Sequence, residues 1–60
     1  MKFKTGERVL WNGEPAIIYG VIKKFNNKVV KWYEVKRDES SVSSHLVSED
    51  AGTLKKLGAN

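Results

Sequence analysis

The stretch Ala16–Arg37, AIIYGVIKKFNNKVVKWYEVKR, decides how this chain is read. Two runs rich in β-branched and aromatic residues flank Asn26-Asn27, a pair that tolerates the positive φ angles of a tight turn, so the stretch reads as a long β-hairpin. Closing the turn there sets Phe25 opposite Lys28, Lys23 opposite Val30, Val21 opposite Trp32, Gly20 opposite Tyr33 and Ile18 opposite Val35. Strand alternation then sorts the side chains into two faces. One carries Ile18, Ile22, Val29, Tyr33 and Val35, with Lys24 and Lys31 toward its tip. The other carries Ile17, Tyr19, Val21, Phe25, Val30 and Trp32, interleaved with Lys23, Lys28, Glu34 and Lys36. A chain of 60 residues has too little mass to bury both faces along their whole length, so one of them meets solvent or a partner.

On the N-terminal side, Gly6 marks a turn and Glu7–Trp11 reads as a first strand, preceded by Lys2–Thr5 as a frayed end or a brief edge strand. Asn12-Gly13 is a strong two-residue hairpin signal. It returns the chain through Glu14-Pro15 into a second strand that runs to Phe25. Pro15 has no N–H for a ladder and belongs at the start or edge of that strand. Gly20 interrupts a bulky run, and two causes compete: a bulge or sharp bend, as where one strand is shared between two sheets of a small barrel, or bare backbone across which Tyr33 lies.

On the C-terminal side, Asp38–Ser41 is polar and turn-prone, and Val42–Val47 reads as a fourth strand. Ser48-Glu49-Asp50 has the form of a helix start, a serine cap followed by acids in the first turn. Leu54 and Leu57 on one face, Lys55 and Lys56 in the last turn and Gly58 as a stop extend this into a short C-terminal helical turn.

The net charge of +4 is unevenly distributed. Lys23–Arg37 holds six cations against the single acid Glu34, whereas residues 38–60 hold two lysines against four acids. The hairpin is therefore a basic pole that attracts polyanions, nucleic acid first. Lysines also blunt an exposed hairpin against edge-to-edge aggregation. The chain contains no cysteine, which removes disulfide, zinc-thiolate and thiol-nucleophile chemistry. The N-terminal residues show neither a signal peptide nor a membrane span, and the cytoplasm is the expected location. His45 is the sole histidine, so neither a metal site nor a catalytic base with its orienting partners is expected, and no cofactor is implied.

Short strands, a G-x-x-V opening at Gly6 and Val9, the Asn12-Gly13 hairpin, a long bent hairpin and a terminal helical turn together resemble an SH3-like small barrel of the Tudor or KOW type. The resemblance implies a mainly β fold, one domain over residues 1–60, with four to five antiparallel strands closed into a barrel. Val47-Ser48-Glu49-Asp50 with Leu54 and Leu57 is also similar to the ending of small archaeal chromatin proteins. Those relatives bind the DNA minor groove without sequence preference, and the likeness gives Val30 and Trp32 the part of wedge residues. The Tudor likeness instead implies a methyl-lysine cage, for which Trp11, Tyr19, Trp32 and Tyr33 are the available rings.

These readings converge on a binding module rather than an enzyme. Tyr19, Val21, Lys23, Lys28, Val30, Trp32 and Lys36 form the candidate surface, with rings to stack on bases and lysines to neutralise phosphates. Nucleic acid held with little sequence selectivity is the first partner. Another protein or a second copy of the chain, buried against the same apolar face as a homodimer, is the second.

Overall fold

The computed structural model describes residues 2–57. Five strands form one antiparallel sheet: β1 (Arg8–Trp11), β2 (Glu14–Phe25), β3 (Lys28–Lys36), β4 (His45–Ser48) and β5 (Leu54–Lys56). They lie in the order β4-β3-β2-β1-β5. A single 3-10 turn, Glu49–Ala51, joins β4 to β5. The sheet is not closed into a barrel, because β4 and β5 stand at its opposite ends.

Both asparagine turns form as their chemistry dictates. Asn12 and Gly13 have φ of 54° and 83°, and Asn26 and Asn27 have φ of 51° and 64°. Consecutive positive φ values match the right-handed twist of the strands they join. β2 serves two neighbours in succession, pairing with β1 over residues 14–17 and with β3 from Ile17 to Phe25. Pro15 lies in the part that β3 does not reach. There the Arg37 guanidinium donates to the carbonyls of Trp11, Glu14 and Pro15 at 3.2–3.3 Å, which takes the place of the missing strand.

The β2–β3 register departs from uniform alternation twice. Ile18 pairs with Val35 and Phe25 with Lys28, as the closed turn predicts, but between them Gly20 faces Glu34, Val21 faces Tyr33 and Ile22 faces Trp32. Tyr19 is the extra residue that shifts β2, and a second irregularity between Ile22 and Lys24 restores the register near the tip. A one-residue slip sends each side chain to the opposite face. Val21 therefore packs toward the core and Ile22 lies beside Trp32, the reverse of the uniform assignment.

The core gathers Phe3, Val9, Ala16, Ile18, Tyr33, Val35 and Val47, with Trp11, Val21 and Leu54 packed against it. Residues 2–4 are not a strand; instead Phe3 inserts its ring edge-on to Tyr33, with centroids 5.4 Å apart. The buried Tyr33 hydroxyl accepts from the Phe3 N–H at 3.1 Å and donates to Glu49. The same Glu49 oxygen accepts the Lys2 N–H at 2.9 Å.

The expected C-terminal helix is replaced by a short turn and a strand. Ser48 caps the turn through Asp50 N–H, but Gly52 in the left-handed region (φ 73°) stops it after three residues. Leu54–Lys56 then pairs with β1, placing Leu54 opposite Trp11. Gly58, the expected stop, lies outside the described residues. β4 begins at His45 rather than Val42, which is fully exposed. The preceding segment is turned by the Asp38 carboxylate, which accepts from Ser40 and Ser41.

The hydrogen bond from Tyr33, followed by the Lys2 N–H, holds the Glu49 carboxyl below its ordinary range. Burial, followed by the bond to Glu49, pushes the Tyr33 hydroxyl up. A carboxyl with a depressed folded pKa contributes stability that is complete above its unfolded pKa and lost as pH falls through the folded one. Urea titrations are expected to show stability declining as pH falls below about 4.3, the ordinary glutamate pKa, with a shallower decline in Glu49→Gln. At neutral pH, Tyr33→Phe is expected to lose about 1 to 2 kcal/mol in the same assay.

Candidate functional site

The sheet face away from the core follows from the corrected register. Across it run the rows Arg8–Ile17–Lys36, Gly20–Glu34–Leu46 and Ile22–Trp32–Ser48. In the first row only the central residue, Ile17, is covered. The Arg8 and Glu39 side chains pair at 3.9 Å, Ile17 is only 6% exposed, and the Asp38–Ser40 segment lines the shallow depression beside it. Tyr19, swung out by the bulge, carries the Lys36 ammonium 4.2 Å from its ring centroid.

The middle row is acidic. Glu34 accepts from the Ser44 hydroxyl at 2.8 Å, and its other oxygen occupies the space beside Gly20, 3.2 Å from where a Cβ would stand. Gly20 thus makes room for Glu34, not for Tyr33, whose ring is buried in the core. An anchored carboxylate in this row separates Tyr19 and Lys36 from Trp32.

Beyond Glu34 the hairpin tip has a different character. Phe25 and Trp32 pack together with ring centroids 5.3 Å apart and planes tilted by 45°. Ile22 lies beside Trp32 in the ladder. Phe25 is 52% and Val29 79% exposed, while Val30 and Trp32 are half-buried. Lys23, Lys24, Lys28 and Lys31 are all exposed, and none makes an ion pair with a described residue. From Lys23 to Tyr33 the chain has no acid.

Of the seven residues singled out from sequence, the structure brings Lys23, Lys28, Val30 and Trp32 to the tip region. Tyr19 and Lys36 lie on the far side of Glu34, and Val21 leaves the surface for the core. Phe25 and Ile22 join the cluster instead. Phe25 was legible as an apolar residue beside the turn; Ile22 was not, because its face depends on a bulge that alternation does not reveal. The conspicuous signal for that bulge was a glycine directly after a bulky Ile-Ile-Tyr run.

The four candidate cage rings do not converge. Trp11 lies 5.1 Å from His45 and under the Arg37 guanidinium at 4.5 Å, Tyr19 lies under Lys36, Trp32 against Phe25, and Tyr33 in the core. Among the described residues no cluster of His, Cys, Asp and Glu is arranged to hold a metal ion, and no helix is long and apolar enough to cross a membrane. Compared with known proteins, the chain matches no family model, no curated protein and no solved structure.

The cations of the basic pole thus fall into two kinds, one committed to the fold and one free. Arg37→Ala is expected to lower stability by about 1 to 2 kcal/mol through the lost carbonyl contacts and ring stacking. Lys23→Ala and Lys28→Ala are expected to stay within about 0.5 kcal/mol of the parent. Denaturant midpoints of the three variants check the division.

Proposed function

We propose that this chain is a non-enzymatic, cytoplasmic binding module that holds nucleic acid against the basic tip of the β2–β3 hairpin, with little sequence selectivity. The observation that carries the reading is the acid-free run Lys23–Tyr33, in which four exposed lysines flank the Phe25–Trp32 pair along the chain, among them Lys31, whose charge also reaches Glu49. Exposed lysines that make no ion pair with a described residue are available to phosphates, and the counterions they displace supply the binding free energy. Exposed rings beside them offer contacts that every base can use.

The strand order β4-β3-β2-β1-β5, with a 3-10 turn between the last two strands, supports reading the chain as an SH3-like domain of open form. A second reading places a protein partner, or another copy of the chain, on the same apolar face. In its favour are Val29 and, on strand β4 at the end of the sheet, Leu46, which is 59% exposed.

Titration of a labelled oligonucleotide at low and moderate salt tests the nucleic-acid reading. If all four lysines engage phosphates, log K is expected to fall against log salt with a slope of about −3 to −4. No binding at low salt, or binding indifferent to salt, refutes it.

A further inference from the structure

We infer that the hairpin tip takes single-stranded nucleic acid, with an unpaired base stacked on the Phe25–Trp32 pair. This rests on the nucleic-acid reading above and specifies the form of its ligand.

Three observations carry the choice. First, the rings form a platform rather than a wedge. Trp32 is half-buried, lies in register between Ile22 and Ser48, and is packed against Phe25 at a tilt of 45°. A side chain that kinks a duplex must project between two base steps, and an indole held in this way does not project. Phe25 leaves half of its surface free, and the π-face it can cover is one that a duplex keeps inside its own stack.

Second, the charges follow the turn. Lys23, Lys24 and Lys28 lie within three residues of Phe25 in the chain, and Lys31 is next to Trp32. A flexible strand can lay its phosphates along this short curved tip while a base turns inward to the rings. Glu34 and Leu46, in the next row, mark the end of the surface hospitable to phosphate.

Third, the same charges disfavour a second copy as the occupant. Two-fold pairing through Phe25 and Trp32 brings together two acid-free stretches that each carry four lysines. Like charges brought together at an interface oppose association. An anionic partner with aromatic faces satisfies both the lysines and the rings.

The test uses the full chain and fluorescence anisotropy with two labelled probes, an oligothymidylate of about fifteen nucleotides, within the span that single-strand folds cover, and a duplex of equal length. The single strand is expected to bind more tightly than the duplex. Phe25→Ala is expected to weaken the single strand about tenfold or more, leaving the duplex affinity and the salt slope unchanged, while Phe25→Tyr retains binding. Lys28→Gln is expected to weaken both probes and to reduce the slope by about one. Circular dichroism of each variant verifies that the fold persists. Equal affinity for the two probes, or an inert Phe25→Ala, overturns stacking while salt-dependent binding keeps the broader proposal. Binding of neither probe overturns both. A dimer in sedimentation equilibrium that Phe25→Ala dissociates assigns the rings to self-pairing and overturns the inference.

Discussion

The structure depends on the burial of one phenol. Tyr33 is fully enclosed, and a hydroxyl taken out of water must find partners or forfeit about 1 to 3 kcal/mol. Its partners come from opposite ends of the chain: the Phe3 N–H and the Glu49 carboxylate. Meeting that requirement draws the N-terminal segment across the sheet, seats Phe3 against the tyrosine ring and positions the 3-10 turn. The chain that leaves this turn runs along β1 as β5. In a chain this short, where apolar area alone gives little margin, one satisfied polar group couples elements that the sheet ladder does not join directly.

A second constraint acts within the hairpin. The extra residue at Tyr19 and the compensating irregularity near the tip reverse the faces of the residues between them while leaving both ends of the ladder in place. The core thereby gains Val21 behind Tyr33, and the outer surface gains Ile22 beside Trp32. Gly20 sits at this shift because Glu34 needs the volume that a side chain would take. The hairpin consequently has a covered base, an acidic middle row and a basic aromatic tip, a division that a uniformly alternating strand would blur.

The basic pole is also less uniform than its composition. Arg37 substitutes for strand pairing and stacks on Trp11, Arg8 pairs with Glu39 over Ile17, and Lys36 rests on Tyr19. Within Lys23–Arg37, the cations left to solvent are the lysines around Asn26-Asn27. A ligand would meet this residual charge rather than the net charge of the whole chain.

The sequence by itself determined the β class, both asparagine turns, the extent of the second strand and the basic pole, because each follows from local chemistry: φ tolerance, β-branched content and charge. It also determined the serine cap at Ser48. Only the tertiary structure decided which face Val21 and Ile22 occupy, that Leu54–Lys56 forms a strand rather than helix, and that the sheet stays open. Those outcomes depend on contacts between residues far apart in the chain. A three-residue turn stopped at Gly52 leaves Leu54 equally able to continue as helix or strand until β1 offers an unpaired edge, and a bulge forms where packing around Tyr33 and Glu34 favours it over a regular ladder. Neither choice is encoded in the spacing of neighbouring residues.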